Sequence, residues 1–253
     1  MINLTRAIKY SFSGSDFFTK LFIGAIMVIM LPLGFITGLI LLGYQLRVIR
    51  TVMEGDEANP PDWDQFGTDL AQGFVVLLGS LIYYLPAFIL AGLGGAFGWD
   101  VISSLGSRLR AAIDPFNTVV PTPIDRGELS MMVICFALAL IWLLLSAPML
   151  MAATARYAET GKFSSFVNML ERADEVWDNR KAAASLTLSL LILMMMAQLA
   201  GTVASATCLL TAYVQYAQFL AICHLTGQWG RVLKQNRPKP NVIRPIKPRP
   251  MPR

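Results

Sequence analysis

The sequence predicts an all-α integral membrane protein: a helical bundle of about six membrane segments, with amphipathic helices lying at the interface. Three observations carry that prediction. The 253-residue chain is 55% hydrophobic and 15% charged, with a mean hydropathy of +0.55, whereas soluble domains hold about a quarter charged residues. Every Lys, Arg, Asp and Glu lies outside the long apolar runs, as the cost of placing charge in hydrocarbon requires. Several of those runs reach the roughly 20 residues that one span needs.

The opening residues Leu4, Ala7, Ile8 and Phe12 form a short apolar stripe suited to the interface. They do not read as a signal peptide, because the apolar run begins late and no small-residue cleavage site follows it. That first run, Leu21 to Tyr44, has Leu31-Pro32-Leu33-Gly34 at its centre, and a proline there removes a backbone donor and clashes with the preceding turn. Either it is one kinked span, or it is two helices, about Asp16 to Met30 and Leu33 to Glu54, that dip in and return. Basic residues favour the second choice. With a returning hairpin, one side of the membrane carries 18 Lys and Arg against 3; with a single crossing the partition is 15 against 6. Positive charge collects on the cytoplasmic side, so both termini are expected there.

Phe74 to Phe97 and Met131 to Met151 are single spans, and Ser185 to Leu225 is about twice one span. The last divides near Gly201 to Thr207, where Gly, Ser and Thr cluster, into a helical hairpin. Between the spans, Phe163, Phe166, Val167, Leu170, Ala173 and Trp177 recur at three- and four-residue spacing, as do Val101, Ile102, Leu105, Leu109 and Ala112 before Pro115, Pro121 and Pro123. Gly92, Gly94, Gly95 and Gly98 permit close helix contact, within the chain or with a partner. Residues 1–230 form the membrane domain, and 231–253 form a basic, Pro-rich tail whose RPKPNVIRPIKPRPMPR stretch has too many prolines for a helix. Such a tail is either a solvated topogenic segment or an arm for anionic lipid or a partner's groove.

The motifs sit at the helix ends. Gly43-Tyr44-x-x-Arg47 is followed by Gly55, the acidic stretch Glu54 to Glu57, Pro61-Asp62-Trp63-Asp64, and Tyr83-x-x-Pro86. In the Pro60 to Gln65 stretch, Asp62 is placed to cap the next helix with Gln65 three residues on, and Trp63 is placed as an interfacial anchor. The alternative is a ligand or metal site built from Glu54, Asp56, Glu57, Asp62 and Asp64, although the spacing fits no calcium loop. Arg47 and Arg50 share a helix face and suit lipid phosphates or the acidic stretch beside them. Arg156 and Gly161 repeat the spacing of Arg50 and Gly55, which hints at an internal repeat or at shared helix-end chemistry.

This pattern resembles the domain of unknown function 4013 family of prokaryotic polytopic membrane proteins. The resemblance runs through Asn3 to Gly24, Gly43 to Pro86, Arg156-Tyr157-Ala158-Glu159-Thr160-Gly161 and the closing His224-x-x-Gly227-Gln228. It implies a multi-pass protein of a prokaryotic cytoplasmic membrane, and no activity comes with it.

Chemistry is sparse. His224, the only histidine, is read as a capping residue at the end of the last span, because a neighbouring Cys223 points about 100° away on a helix. Cys135, Cys208 and Cys223 lie apart in apolar segments, without metal or disulfide spacing. Gln198, Gln215, Gln218, Thr202, Ser205 and Thr207 are the polar groups of the spans. Gln215 and Gln218 are expected to bond to a neighbouring helix, while proton-coupled transport is disfavoured. No catalytic residue, cofactor or metal is expected. The candidate lipid or partner contacts are Arg47, Arg50, Trp63, Arg156, Arg237, Lys239, Arg244, Lys247 and Arg249. Membrane lipids and a protein partner or second copy are the expected partners, and nucleic acid is not. A non-enzymatic accessory or scaffold subunit is the leading expectation; a lipid or apolar-solute protein is the alternative, and a hydrolase using His224 or the Asp62 and Asp64 pair comes third.

Overall fold

The computed structural model describes residues 2–14, 16–113, 125–204 and 207–237. These residues form α-helices and one 3-10 turn, with no strand among them. The helices are α1 (Leu4–Tyr10), α2 (Phe17–Met30), α3 (Phe35–Glu54), α4 (Phe66–Phe97), α5 (Trp99–Ile113), α6 (Arg126–Thr160), α7 (Ser164–Val167), α8 (Met169–Asp178), α9 (Arg180–Ala204) and α10 (Cys208–Asn236). Five of them, α3, α4, α6, α9 and α10, are long and apolar enough to cross a membrane.

The first apolar run is broken where proline predicts. Leu31–Leu33 forms a 3-10 turn with Pro32 inside it, and Gly34 precedes α3 in extended conformation. Lys20 near the start of α2 and Tyr44 midway along α3 both meet the segment around Pro60 and Pro61, so α2 and α3 run antiparallel to each other. At about 1.5 Å per residue, the 14 residues of α2 rise ~21 Å, short of the ~30 Å hydrocarbon core.

The long apolar run divides as expected, with α9 ending at Ala204 and α10 starting at Cys208. Here α10 extends further than its sequence suggests. It continues to Asn236, about three turns beyond His224, so His224 is interior to a helix and does not cap one. The helix also carries the chain past residue 230, where the tail was expected to begin.

Helix α10 is the hub, packing against α1, α2, α3, α6 and α9. One apolar cluster gathers Leu186, Leu190, Leu225 and Trp229 between α9 and α10. A second surrounds Tyr44 and Tyr216 between α2, α3 and α10. A third joins Leu46, Tyr83, Ala153 and Phe166 across α3, α4, α6 and α7. Two prolines sit inside spans, Pro86 in α4 and Pro148 in α6. Next to these breaks, indole N–H groups find carbonyls: Trp142 donates to Tyr83 O at 2.8 Å and Trp229 to Pro148 O at 3.2 Å. A buried indole N–H needs such a partner.

The glycine run in α4 divides its faces. Gly94 and Gly98 abut Cys135, Phe136 and Met132 of α6, whereas Gly92 and Gly95 face open space. Helix α5 confirms the amphipathic stripe from Val101, which is buried, while Ile102, Leu105 and Leu109 are exposed. Pro115, Pro121 and Pro123 lie outside the described residues, as does Ser205. Gln198 and Gln215 are exposed, and neither they nor Gln218 hydrogen-bond to a neighbouring helix. The reason is rotational: Leu186, Leu190 and Leu193 take the inward face of α9, and Ala212, Tyr216 and Leu220 that of α10.

Candidate functional site

The motif block folds back on itself. Gly43 of α3 lets the backbone of α4 approach so closely that a Cβ there would lie 1.9 Å from Asp69 O, and a Cβ on Gly73 would lie 1.7 Å from Leu39 O. This contact carries Asp69 into full burial. One turn along α3, Arg47 meets it with both arms of its fork: Nε to Oδ1 at 2.9 Å and Nη2 to Oδ2 at 2.6 Å. Its Nη1 donates to Asp62 O at 2.8 Å and to Asp64 Oδ1 at 2.7 Å. The planar guanidinium is the side chain suited to such bidentate recognition.

Tyr44 completes the lock. Trp63 stacks on its ring at 4.0 Å and 8°, and its hydroxyl donates to Pro61 O at 2.8 Å. The Trp63 indole in turn donates to Lys20 O. Gly-Tyr-x-x-Arg and Pro-x-Trp-Asp are therefore the two halves of one contact. Trp63 is half-buried in it, more a wedge than a free interfacial anchor. Asp62 does not cap α4, whose N-cap residue Gln65 makes no side-chain capping bond. Asp62 pairs instead with Lys20 Nζ at 2.7 Å, and that hydrogen bond and charge hold its carboxyl below the usual value.

A second knot forms around Glu57. Arg231 of α10 reaches Oε1 at 2.6 Å, Arg6 of α1 reaches Oε2 at 2.9 Å, and His224 Nε2 lies 3.5 Å from Oε2. Burial opposes the charge of Glu57, but the bond from Arg231 and the charges of Arg231 and Arg6 prevail and hold its carboxyl below the usual 4.5. His224 is fully buried and packs on Tyr10 with ring centroids 4.7 Å apart. Gln228 accepts from Asn3 N through Oε1 at 2.6 Å, which orients its amide. Its Nε2 then donates to Asn3 O at 3.1 Å and lies 2.9 Å from His224 Nδ1. Nδ1 is thereby the acceptor and Nε2 carries the proton toward Glu57. Nδ1 is hydrogen-bonded, whereas Nε2 is buried 3.5 Å from Glu57 Oε2 without a hydrogen bond among the described residues.

Two further joins complete this end of the bundle. Arg50 Nε donates to Ala158 O, near the end of α6, at 2.7 Å. Gly55 and Gly161 each close a helix in the left-handed conformation, with φ of 99° and 66°, so the shared Arg-x4-Gly spacing reflects the same helix-end chemistry at both. Glu159 pairs with Arg156 at 3.5 Å and Arg237 at 2.8 Å. Arg156 and Arg237 rim a polar cavity of about 560 Å³ whose walls include Glu171, Asp174, Glu175 and Asp178. Arg172 is buried beside it, with Glu171 at 2.6 Å and Glu175 at 2.5 Å.

The apolar stripe of α7 and α8 divides. Phe166 is buried, with its ring against Gly79, whereas Val167, Leu170 and Trp177 are exposed.

The acidic residues named together in the sequence do not converge on one centre. Glu57, Asp62 and Asp64 separate toward different cations, and no three metal-ligating side chains gather among the described residues. Of the candidate contacts, Arg47, Arg50, Trp63, Arg156 and Arg237 are engaged within the protein; Lys239, Arg244, Lys247 and Arg249 lie outside the described residues. Sequence reading passed over Asp69, Arg6 and Arg231. Asp69 had a signal, since a lone carboxylate four residues before Gly73 stands where α4 must touch α3.

Fold and composition define an all-helical membrane protein. The chain belongs to the family described as protein of unknown function (DUF4013), which it matches over residues 22–213. The Arg47 lock lies within that stretch except for Lys20, while Arg6, His224 and Arg231 of the Glu57 knot lie outside it. No curated protein and no solved structure matches the chain.

Proposed function

We propose that this chain is a non-enzymatic accessory or scaffold subunit of a membrane assembly, seated in a prokaryotic cytoplasmic membrane with its C-terminus in the cytoplasm. The observation that carries the reading is the commitment of its charged groups. Glu57, Asp62, Asp64 and Asp69 face cations drawn from α1, α2, α3 and α10, and His224 is buried with Nδ1 hydrogen-bonded to Gln228 and Nε2 turned toward Glu57. General acid–base or nucleophilic work needs such groups poised toward a substrate; here they join helices. The result is a braced platform from which the basic, Pro-rich segment departs at Arg237, itself held by Glu159. Pro-rich chains enter partner grooves at low entropic cost, and a protein partner is the proposed occupant of that segment.

A lipid-carrier reading based on Arg47 and Arg50 is weaker, because the Arg47 guanidinium is spent on Asp69 and Asp64 and Arg50 is tied through Nε to Ala158 O. The test is gentle extraction of the tagged chain, with mass spectrometry of everything that accompanies it. A stoichiometric protein lost on deletion of residues 238–253 supports the scaffold reading. A monomeric chain with no protein companion overturns it.

A further inference from the structure

We propose that the groove between α6 and α9 is a seat for one anionic phospholipid, with Arg180 holding its phosphate and the apolar walls holding an acyl chain. This inference is independent of the scaffold reading. The groove has a volume of about 470 Å³ and is lined by Leu144 and Pro148 of α6 and by Ala183, Ala184, Leu188 and Leu191 of α9, with Trp177 and Arg180 at its mouth. It exists because α9 packs chiefly on α10 and touches α6 little, and because two alanines there fill little space. Leu144, Leu188 and Leu191 are exposed at its flank, so it opens sideways toward the bilayer.

Its two ends differ chemically in the way a lipid does. From Arg180 to Leu191, at about 1.5 Å per residue, the groove descends ~16 Å, which is about half of a ~30 Å hydrocarbon core and hence one leaflet. At the mouth, the Arg180 guanidinium lies 5.9 Å from the centroid of the Trp177 ring, a contact that orients the fork. Trp177 is 70% exposed, as suits an aromatic residue at headgroup level.

Charge supplies the choice of headgroup. Arg6, Lys20, Arg47, Arg172 and Arg231 have carboxylate partners, whereas Lys9, Arg50, Arg108, Arg110, Arg126 and Lys162 have none within ion-pairing distance among the described residues; what sets Arg180 apart is its place at the mouth of this apolar groove. Among the described residues, no carboxylate lies within ion-pairing distance of Arg180 or of its exposed neighbour Lys181. An uncompensated guanidinium at the mouth of an acyl-sized groove suits a headgroup with net negative charge, since it grips phosphate bidentately, and the exposed Lys181 next in sequence adds positive charge at the same helix start.

The experiment titrates the purified full-length chain in detergent with phosphatidylglycerol or phosphatidylcholine and counts bound lipids by native mass spectrometry. The expected result is one tight phosphatidylglycerol, bound about tenfold more weakly by the Arg180→Ala/Lys181→Ala variant. Filling the groove with Ala184→Trp is expected to weaken it similarly, while Leu170→Ala, at an exposed residue outside the groove, leaves binding unchanged. Arg180 and Lys181 are exposed at a helix start, so their variant tests the site even if Ala184→Trp fails to fold. Equal affinity for phosphatidylcholine, or unchanged phosphatidylglycerol binding by the double variant, overturns the proposal.

Discussion

Replacing Arg47 with Met tests whether the motif block is a structural lock. Asp69 is fully buried, and Arg47 retains only 12% of its side-chain exposure, so the discount that solvent imposes on surface pairs does not apply to this one. The substitution preserves the apolar stem and removes two charge-assisted hydrogen bonds from a carboxylate that water cannot reach. Breaking a buried pair from one side costs about 3–5 kcal/mol, because the remaining charge is left uncompensated. Asp64 is 60% exposed, and Asp64→Ala should cost no more than ~1 kcal/mol. Reversible unfolding in micelles, by urea or by titrated SDS, measures both. A double-mutant cycle then isolates the pair: Arg47→Met with Asp69→Leu should be less damaging than the sum of the singles by about 2 kcal/mol, since the orphan charges vanish together. If Arg47→Met lies within ~0.5 kcal/mol of the parent, or matches Asp64→Ala, the lock is ornamental and the reasoning fails.

The close helix crossing gives a steric prediction. Gly43→Ala and Gly73→Ala each drive a methyl into backbone carbonyl oxygen, at Asp69 and Leu39 respectively, and should cost about 3 kcal/mol or more, read as lost monodisperse yield and earlier chemical unfolding. Gly92→Ala, whose Cβ meets open space, should be neutral or stabilising by up to ~1 kcal/mol. Glu57 gives a prediction in pH. Its folded carboxyl titrates below the usual 4.5, so its contribution to stability is present above that value and is lost as pH falls through the folded value. The difference in stability between the parent and Glu57→Gln should therefore be flat from neutral pH down to about 5 and shrink in more acidic solution. A difference that grows toward acid would show that Glu57 is not held ionised by Arg231 and Arg6.

The class of the protein and the limits of its spans were legible in the chain because they follow from local rules. Charge cannot enter hydrocarbon, so the apolar runs mark the spans, and α4, α6, α9 and α10 appear around the residues those runs name. Pro32, with Gly34 two residues on, breaks the first apolar run, so the broken first segment was legible as well, although Pro86 and Pro148 are carried inside continuous helices. His224 shows where that reasoning stops: its apolar run ends at Leu225, but α10 goes on, because Gly227 and Gly230 seat against Val52, Met53 and Ala155 and tertiary contact sustains the helix past the greasy stretch.

The acidic segment shows the same boundary more sharply. Sequence placed five carboxylates within a few residues of one another, and proximity along the chain suggested one site. Glu57, Asp62 and Asp64 find cations on α1, α2, α3 and α10, at separations of up to 174 residues in the Arg231–Glu57 bond, while Glu54 and Asp56 pair with none among the described residues, and which cation each carboxylate meets depends on how those helices cross. By itself the sequence determined that the chain is a membrane bundle, where its helices break, and which residues are charged at their ends. Tertiary structure alone decided that those charges neutralise one another in separate knots and leave Arg180 and Lys181 without carboxylate partners, because ion pairing acts over a few ångströms in space and is blind to distance along the chain.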